Sequence, residues 1–415
     1  MRTTKRIQVF EHRTLYYGSE YDGVLFQKKH FDSLAKLNSL HDNKYFTLVH
    51  KGVKFSQYVG VVRVDDLNIE ILPKVDASHN SEKAVWQGVL IEMLKQTKKL
   101  KVQKVGQAQV NKQNIHLLDI YFDWFLREVQ DLCRKGLIKT YYKESKNVRA
   151  LKGKLEFAQH LSQNLIHKER FYTSHQVYNQ DHTLHQIINQ ALSIIELVSK
   201  GTYLYSRCKE VQLNFPEVTA IICNEATFSK LAFNRKNKPY KTAIEIARLI
   251  ILNFAPNVSA GSENMLALLF DMNSLWEEYV LIKLKEATRD LDIEVFGQNS
   301  KRFWNGITIR PDIVVKNGNN SSIIDTKWKN NKDNKPSTND LRQMYVYNEY
   351  WQGRNALLLY PGVHNDALIT SQFNEPAAHS CGLANINVFN TDEKLDQEIG
   401  KRILHILEKN NLIER

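Results

Sequence analysis

The chain has 415 residues, 42% hydrophobic and 25% charged, with 57 Lys plus Arg against 45 Asp plus Glu and a formal net charge of +12. That length suits two or three domains with sizeable cores, and the basic balance suits a polyanion partner, although a lineage rich in Asn and Lys would produce the same excess. Cys133, Cys208, Cys223 and Cys381 are far apart with no C-x-x-C spacing, the N-terminal MRTTKRIQVFEH lacks an apolar signal region, and no apolar run reaches the roughly 20 residues that span a bilayer. A zinc ribbon, a disulfide framework and a membrane span are thereby disfavoured, and a soluble cytoplasmic protein is expected.

Residues 1 to about 75 read as strand-rich, with one helical stretch near Lys28 to Ser39. Val59, Val61, Val62 and Val64, then Asp65-Asp66, then Leu67, Ile69 and Ile71 outline a hairpin ended by Pro73. Helices dominate from about Ser81 to Leu252: SEKAVWQGVLIEMLKQTKK, NIHLLDIYFDWFLREVQDLCRKG ending on Gly136, DHTLHQIINQALSIIELVSKG ending on Gly201, and TAIEIARLIILNF. Strand-like stretches such as LIKTYYKE interrupt them, and PNVSAGS (Pro256 to Ser262) breaks the periodicity. The expected organisation is a β-rich N-terminal domain over 1–80, a mostly helical region over 81–260 and an α/β domain over 261–415.

In the third segment a helix is expected from about Asp271 to Asp290, with Asn273 or Ser274 as N-cap. Glu277 shares its stripe with Val280, Leu281 and Leu284, which turns it inward. The run ITIRPDIVVKNGNNSSIIDTKWK, Ile307 to Lys329, follows as a hairpin. Its turn at Asn317-Gly318-Asn319-Asn320 pairs residues whose numbers sum to 637, so Asp312 faces Asp325. Strand alternation places Lys327 beside Asp325 and turns Thr326 away. Opposed carboxylates call for a cation, and oxygen ligands favour Mg²⁺ or Mn²⁺ over zinc. Such a group suits phosphodiester hydrolysis, with Lys327 orienting or deprotonating water or stabilising the phosphate. The bland alternative is a solvated charge triplet, against which the apolar Ile313, Val314, Val315, Ile323 and Ile324 speak, because they mark strands buried on both faces.

A further helix over about Thr338 to Gln352 places Gln343 and Tyr347 on one face, and a last helix, EKLDQEIGKRILHILEKN, packs through Leu395, Ile399, Ile403 and Ile406. His182 and His185 are spaced by three without an inward carboxylate set, so an ordinary packing role outweighs a metal site. Lys152-Gly153-Lys154 lacks the glycine spacing of a nucleotide-binding loop, so any nucleotide-driven step needs another subunit.

A helix with Glu277, RPD in one strand, DTK in the next and QMYVY in a helix resemble the PD-(D/E)xK nuclease core, of αβββαβ type. The strings LLFDMNSLWEEYV, RPDIVV, IIDTKWK and DLRQMYVY are similar to the McrC family, the endonuclease subunits of McrBC modification-dependent restriction systems. YVGVVRVDDLNIEILPKV, RALKGKL, YNQDHTLHQIINQAL and YKTAIEIARLIIL extend the likeness over roughly residues 45 to 360. The resemblance implies Asp312 and Asp325 as metal ligands, Lys327 as catalytic lysine, the Thr326 carbonyl and Glu277 as further metal supports, and Gln343 with Tyr347 as supporting residues. It also implies double-stranded, modified DNA as substrate and an McrB-like AAA+ GTPase, in a hexameric ring, as partner. GTP would then sit on that partner, which the N-terminal part of this chain would contact and stimulate. Two other readings stand beside it: a non-cleaving adaptor on the GTPase ring, and a free-standing RecB-like nuclease.

Overall fold

The computed structural model describes residues 5–64, 66–75, 83–99, 117–256, 264–318, 320–329, 335–353, 355–363, 366–374 and 379–409. The chain divides into two compact units: Met1–Thr3 with Asn114–Leu268, and Thr4–Gln113 with Leu269–Arg415. This cut differs from the three segments read from composition, because the N-terminal strands and the C-terminal α/β segment pack into one unit. Asp65, most of PNVSAGS and Asn319 lie outside the described residues.

The N-terminal part of the second unit contains β1 (Lys5–Phe10), β2 (Thr14–Tyr16), β3 (Glu20–Tyr21), β4 (Val24–Leu25), α1 (Lys28–Leu40), β5 (Phe46–Val49), β6 (Gly52–Phe55), β7 (Tyr58–Val64), β8 (Leu67–Leu72) and α2 (Lys83–Gln96). β7 and β8 form the expected hairpin, with Val64 opposite Leu67 and Val62 opposite Ile69, and β1 lies parallel to β8. Every residue of β8 is buried, Asn68 and Glu70 among its aliphatic residues included, and Glu70 is paired with Arg6 at 3.0 Å, as a buried carboxylate requires. β2, β6 and β5 form a second, antiparallel sheet.

The first unit holds α3 (Leu117–Lys135), β9 (Thr140–Val148), β10 (Lys154–Leu155), α4 (Phe157–Asn164), β11 (Phe171–Asn179), α5 (Thr183–Val198), α6 (Tyr203–Leu213), α7 (Glu225–Ser229), α8 (Lys241–Leu252), β12 (Phe254–Pro256) and most of β13 (Asn264–Asp271). The chain leaves α3 through Gly136 at φ +89°, a left-handed position suited to glycine. β9 and β11 pair antiparallel along nine residues each. His185 is fully buried and satisfied by protein atoms, its Nε2 3.0 Å from the Tyr240 hydroxyl and its Nδ1 2.6 Å from the Gln180 carbonyl.

The C-terminal part returns to the second unit with α9 (Met272–Ala287), β14 (Glu294–Gly297), β15 (Lys301–Trp304), β16 (Ile307–Ile309), β17 (Ile313–Asn317), β18 (Asn320–Thr326), α10 (Thr338–Trp351), β19 (Asn355–Gly362), β20 (Ala367–Gln372), β21 (Ser380–Asn387) and α11 (Ile399–Lys409). A six-stranded mixed sheet runs β14-β17-β18-β19-β21-β20. β14, β17 and β18 are antiparallel, while β18, β19 and β21 are parallel. The order α9, β14, β17, β18, α10, β19 is therefore helix, three strands, helix, strand, with the small β15–β16 ribbon set between the first two strands.

Two boundaries differ from the sequence reading. Asp271, not Asn273 or Ser274, caps α9, its carboxylate accepting from Ser274 N at 3.1 Å. α11 begins at Ile399, so Leu395 packs ahead of it rather than within it. Asp396 explains the delay, because its carboxylate accepts from Glu398 N at 2.9 Å and holds the chain in a side-chain-closed turn. No described helix is long and apolar enough to cross a membrane.

α11 reaches α9 closely at Gly400, where a Cβ would collide with the main-chain carbonyl of Lys283. Gly400→Ala is expected to destabilise the protein by about 1–3 kcal/mol through overpacking. Lys401→Ala, one residue along on the exposed face, is expected to leave the urea midpoint unchanged, and equal midpoints for both variants would disprove the close approach.

Candidate active site

The β17–β18 register is Ile313 with Ile324, Val314 with Ile323, and so on to Asn317 with Asn320, each pair summing to 637. Carried one step past the ladder, it sets Asp312 against Asp325. Ile313, Val314, Val315, Ile323 and Ile324 are fully buried and Asp325 is 1% exposed, so the hairpin brings its carboxylates to a place with little water.

Asp312 Oδ2 accepts from Thr326 N at 2.7 Å and from the Thr326 hydroxyl at 2.9 Å. Thr326 is thus not turned away from the carboxylates, as alternation alone suggests. Asp312 lies just before β17, and its side chain reaches along the partner strand to the last residue of β18. Lys327 Nζ lies 2.7 Å from Asp325 Oδ2 and 3.7 Å from Asp340 Oδ1, and donates to Gln343 Oε1 at 3.4 Å. Although the ammonium is close, Asp325 Oδ2 is buried without a properly angled hydrogen bond. The Lys327 ammonium at 2.7 Å is nonetheless paired with it.

α10 supplies the opposite wall. Gln343 Nε2 donates to Asp325 Oδ1 at 3.2 Å and to the Tyr347 hydroxyl at 2.9 Å, while that hydroxyl donates to the Arg310 carbonyl at 2.9 Å. Asp340, which sequence reasoning missed, also binds Lys329 Nζ through Oδ2 at 2.8 Å. Its signal was present: it precedes Gln343 by three residues and so shares its helix face. Trp328 was missed as well; its indole donates to Glu11 at 2.7 Å and its main-chain N–H to Asn273 Oδ1 at 3.3 Å.

Glu277 is half-buried on α9, accepts from Gln298 Nε2 at 3.0 Å and feels the charge of Asp312. Glu278 instead pairs with Lys99. Among the described residues, no three His, Cys, Asp or Glu side chains are grouped closely enough to hold a metal ion.

The charges are out of balance. Burial, then the charge of Asp312, pushes Asp325 up to about 7 against the pull of Lys327. Burial also raises Asp312, with the two Thr326 hydrogen bonds opposing it, and burial with the nearby Asp312 charge raises Glu277. Burial works against the Lys327 ammonium, but Asp325, Asp340 and Asp312 outweigh it and raise its pKa. Lys327 is consequently a fixed cation at neutral pH. The arrangement presents an ammonium beside two opposed carboxylates.

A family profile described as "McrBC 5-methylcytosine restriction system component" matches residues 53–361. Among solved structures, the chain is similar to one in a refined half-complex from a tetradecameric assembly of Thermococcus gammatolerans McrB AAA+ hexamers with bound McrC. The identity is 21% and the TM-score 0.70, covering 99% of this chain and 100% of that one. A chain in the cryo-EM structure of the Thermococcus gammatolerans McrBC complex aligns at 21% identity and a TM-score of 0.49, over 68% of this chain and 88% of that one. No curated protein matches the sequence.

Asp325 titrates well above its ordinary 3.8 in the folded state, so between about pH 4 and 7 the folded protein holds a proton that the unfolded chain has lost. The stability tied to that proton is complete below the unfolded value and declines as pH rises through the folded one. Asp325→Asn is expected to flatten this decline and to raise the thermal midpoint at pH 8. A wild-type and variant pair with parallel melting profiles from pH 4 to 8 would contradict the charge imbalance.

Proposed function

Because the chain belongs to the McrBC 5-methylcytosine restriction system component family, we propose that it is the system's McrC-type endonuclease subunit. It would hydrolyse phosphodiester bonds in modified double-stranded DNA through a PD-(D/E)xK core, using Mg²⁺ or Mn²⁺, in the cytoplasm. Its partner would be an McrB-type AAA+ GTPase ring, with GTP bound by the ring and not by this chain. The observation that carries the reading is the pairing of half-buried Asp312 with buried Asp325 at the end of one hairpin, with Lys327 held beside it. The helix, three strands, helix, strand order around that hairpin supports the core assignment.

The donor set suits a hard divalent ion, since it is all oxygen and burial raises both aspartates, a penalty on their charged forms that the Lys327 ammonium beside Asp325 only partly offsets. Asp312, Asp325 and the Thr326 carbonyl would hold it, with Glu277 on the α9 side. When bound, the ion would supply Lewis acidity toward the phosphate and make water a better nucleophile.

The remaining chemistry belongs to the chain's own side chains. Lys327, its ammonium held beside Asp325 and Asp340, would act on the phosphate by charge. Asp340 and Gln343 fix the ammonium from the α10 side, and Tyr347 ties Gln343 to the Arg310 carbonyl. Thr326 orients the Asp312 carboxylate with two donors. These contacts preorganise the site before substrate arrives.

The test incubates wild type, Asp325→Ala and Lys327→Ala with modified and unmodified plasmid and Mg²⁺, with and without the AAA+ partner and GTP. Modified plasmid is expected to be cut only with partner and GTP, Lys327→Ala is expected to lose about 100-fold or more in rate, and Asp325→Ala is expected to be inactive while still stimulating GTP hydrolysis. Cutting without the partner would indicate a free-standing nuclease. Stimulated GTP hydrolysis with no cutting under any condition would indicate an adaptor.

A further inference from the structure

The β15–β16 ribbon is not used by the chemistry above. Residues of β15 are all exposed, as are Ile307 and Thr308 of β16. The strands pair as Lys301 with Ile309, Arg302 with Thr308 and Trp304 with Ile307, with a bulge between Arg302 and Trp304. Asn305 and Gly306 close the turn at positive φ, the geometry of a tight hairpin. At the tip Trp304 is 67% and Ile307 52% exposed, an apolar end for which the ribbon itself offers no cover.

Its base is braced by the helix that carries Gln343. Lys301 Nζ donates to the Tyr350 carbonyl at 2.6 Å and lies 5.0 Å from the Trp351 ring centre, and Phe303 packs on Tyr350 at 5.4 Å. The second strand runs on through Arg310 and Pro311 into Asp312. Ile307 and Asp312 are five positions apart in sequence, which limits Ile307 to about 17 Å from the candidate active site. From Lys301 to Pro311 the sequence KRFWNGITIRP has three basic residues and no acidic one.

A two-stranded ribbon fits a duplex groove, basic side chains meet the phosphates, and an exposed aromatic tip stacks on or wedges at a base step. Resting on the nuclease reading, we propose that the β15–β16 ribbon enters a groove of the duplex beside the bond to be cut. Trp304 then engages a base step and Arg302 a phosphate. The occupant is DNA rather than a protein partner because the ribbon carries three basic residues and no acidic one and its second strand leads directly into the candidate active site.

The experiment uses the full-length Asp325→Ala protein, alone and with the AAA+ partner and GTP, on modified duplex DNA with p-benzoyl-L-phenylalanine in place of Trp304. Ultraviolet cross-linking is expected to join position 304 to DNA. In parallel, Trp304→Ala is expected to weaken duplex binding about tenfold, Trp304→Phe to restore most of it, and Arg302→Ala to reduce the salt slope of binding by about one. Cross-links to protein alone would overturn the proposal in favour of a partner-docking ribbon, as would unchanged binding in both alanine variants. The nuclease reading is judged separately by wild-type cutting. A DNA adduct with no wild-type cutting sinks that reading and keeps the groove contact, and cutting with no adduct does the reverse.

Discussion

Two carboxylates face each other across the end of a hairpin with little water to separate them, and much of the surrounding structure makes this tolerable. Like charges opposed across a ladder repel, and burial increases the penalty. The fully buried aliphatic residues of β17 and β18 lock the register, since a slip of one residue would reverse every side chain. Register in turn leaves Asp312 and Asp325 nowhere else to be. Thr326 donates twice to the first, Gln343 donates to the second, and Lys327 supplies the opposite charge. The compensation is incomplete, as the elevated Asp325 shows.

α10 converts that charge problem into a shaped site. Ser337 caps the helix, accepting from Asp340 N, which fixes the first turn and with it the Asp340 carboxylate. Asp340, Gln343 and Tyr347 then follow on one face. Asp340 is shared between Lys327 and Lys329, so it steadies the first lysine without neutralising it alone. Met344, Tyr347 and Trp351 pack into the same core cluster as Val314 and Ile323. The helix therefore cannot rock without disturbing the strands that carry the aspartates, and its far end braces the β15–β16 ribbon.

The parts legible in the sequence are those set by local rules. Turn residues at Asn317 to Asn320 and β-branched runs on either side determine a register, and the register alone brings Asp312 to Asp325. The four-residue spacing of Gln343 and Tyr347 likewise fixes their mutual contact. What escaped depends on reach or competition. Alternation turns Thr326 away because it describes strands, whereas Asp312 sits outside one. The periodic spacing of Leu395 predicts helix, yet Asp396 offers the backbone a competing partner. Glu277 carries the right spacing to turn inward, but its hydrogen bond to Gln298 depends on where β14 ends.

The contact between Glu11 and Trp328 spans 317 residues and no local rule reaches it, yet it bears on the site most directly among the distant contacts. Glu11 is buried, takes the Lys74 N–H as well as the indole, and is pushed up to about 7 chiefly by burial. Trp328 directly follows Lys327 and packs edge-on to Trp276 of α9 at 5.5 Å. Nearby, Gln57 accepts from Met272 N at 2.9 Å and donates to Asp271, the cap of α9. The N-terminal strands therefore hold both the residue after the lysine and the start of the helix bearing Glu277. Inserting residues 114–268 between these two halves costs little, since loop-closure entropy grows only logarithmically with length. A chain built this way makes the geometry of its charged centre depend on the folding of its N-terminal strands.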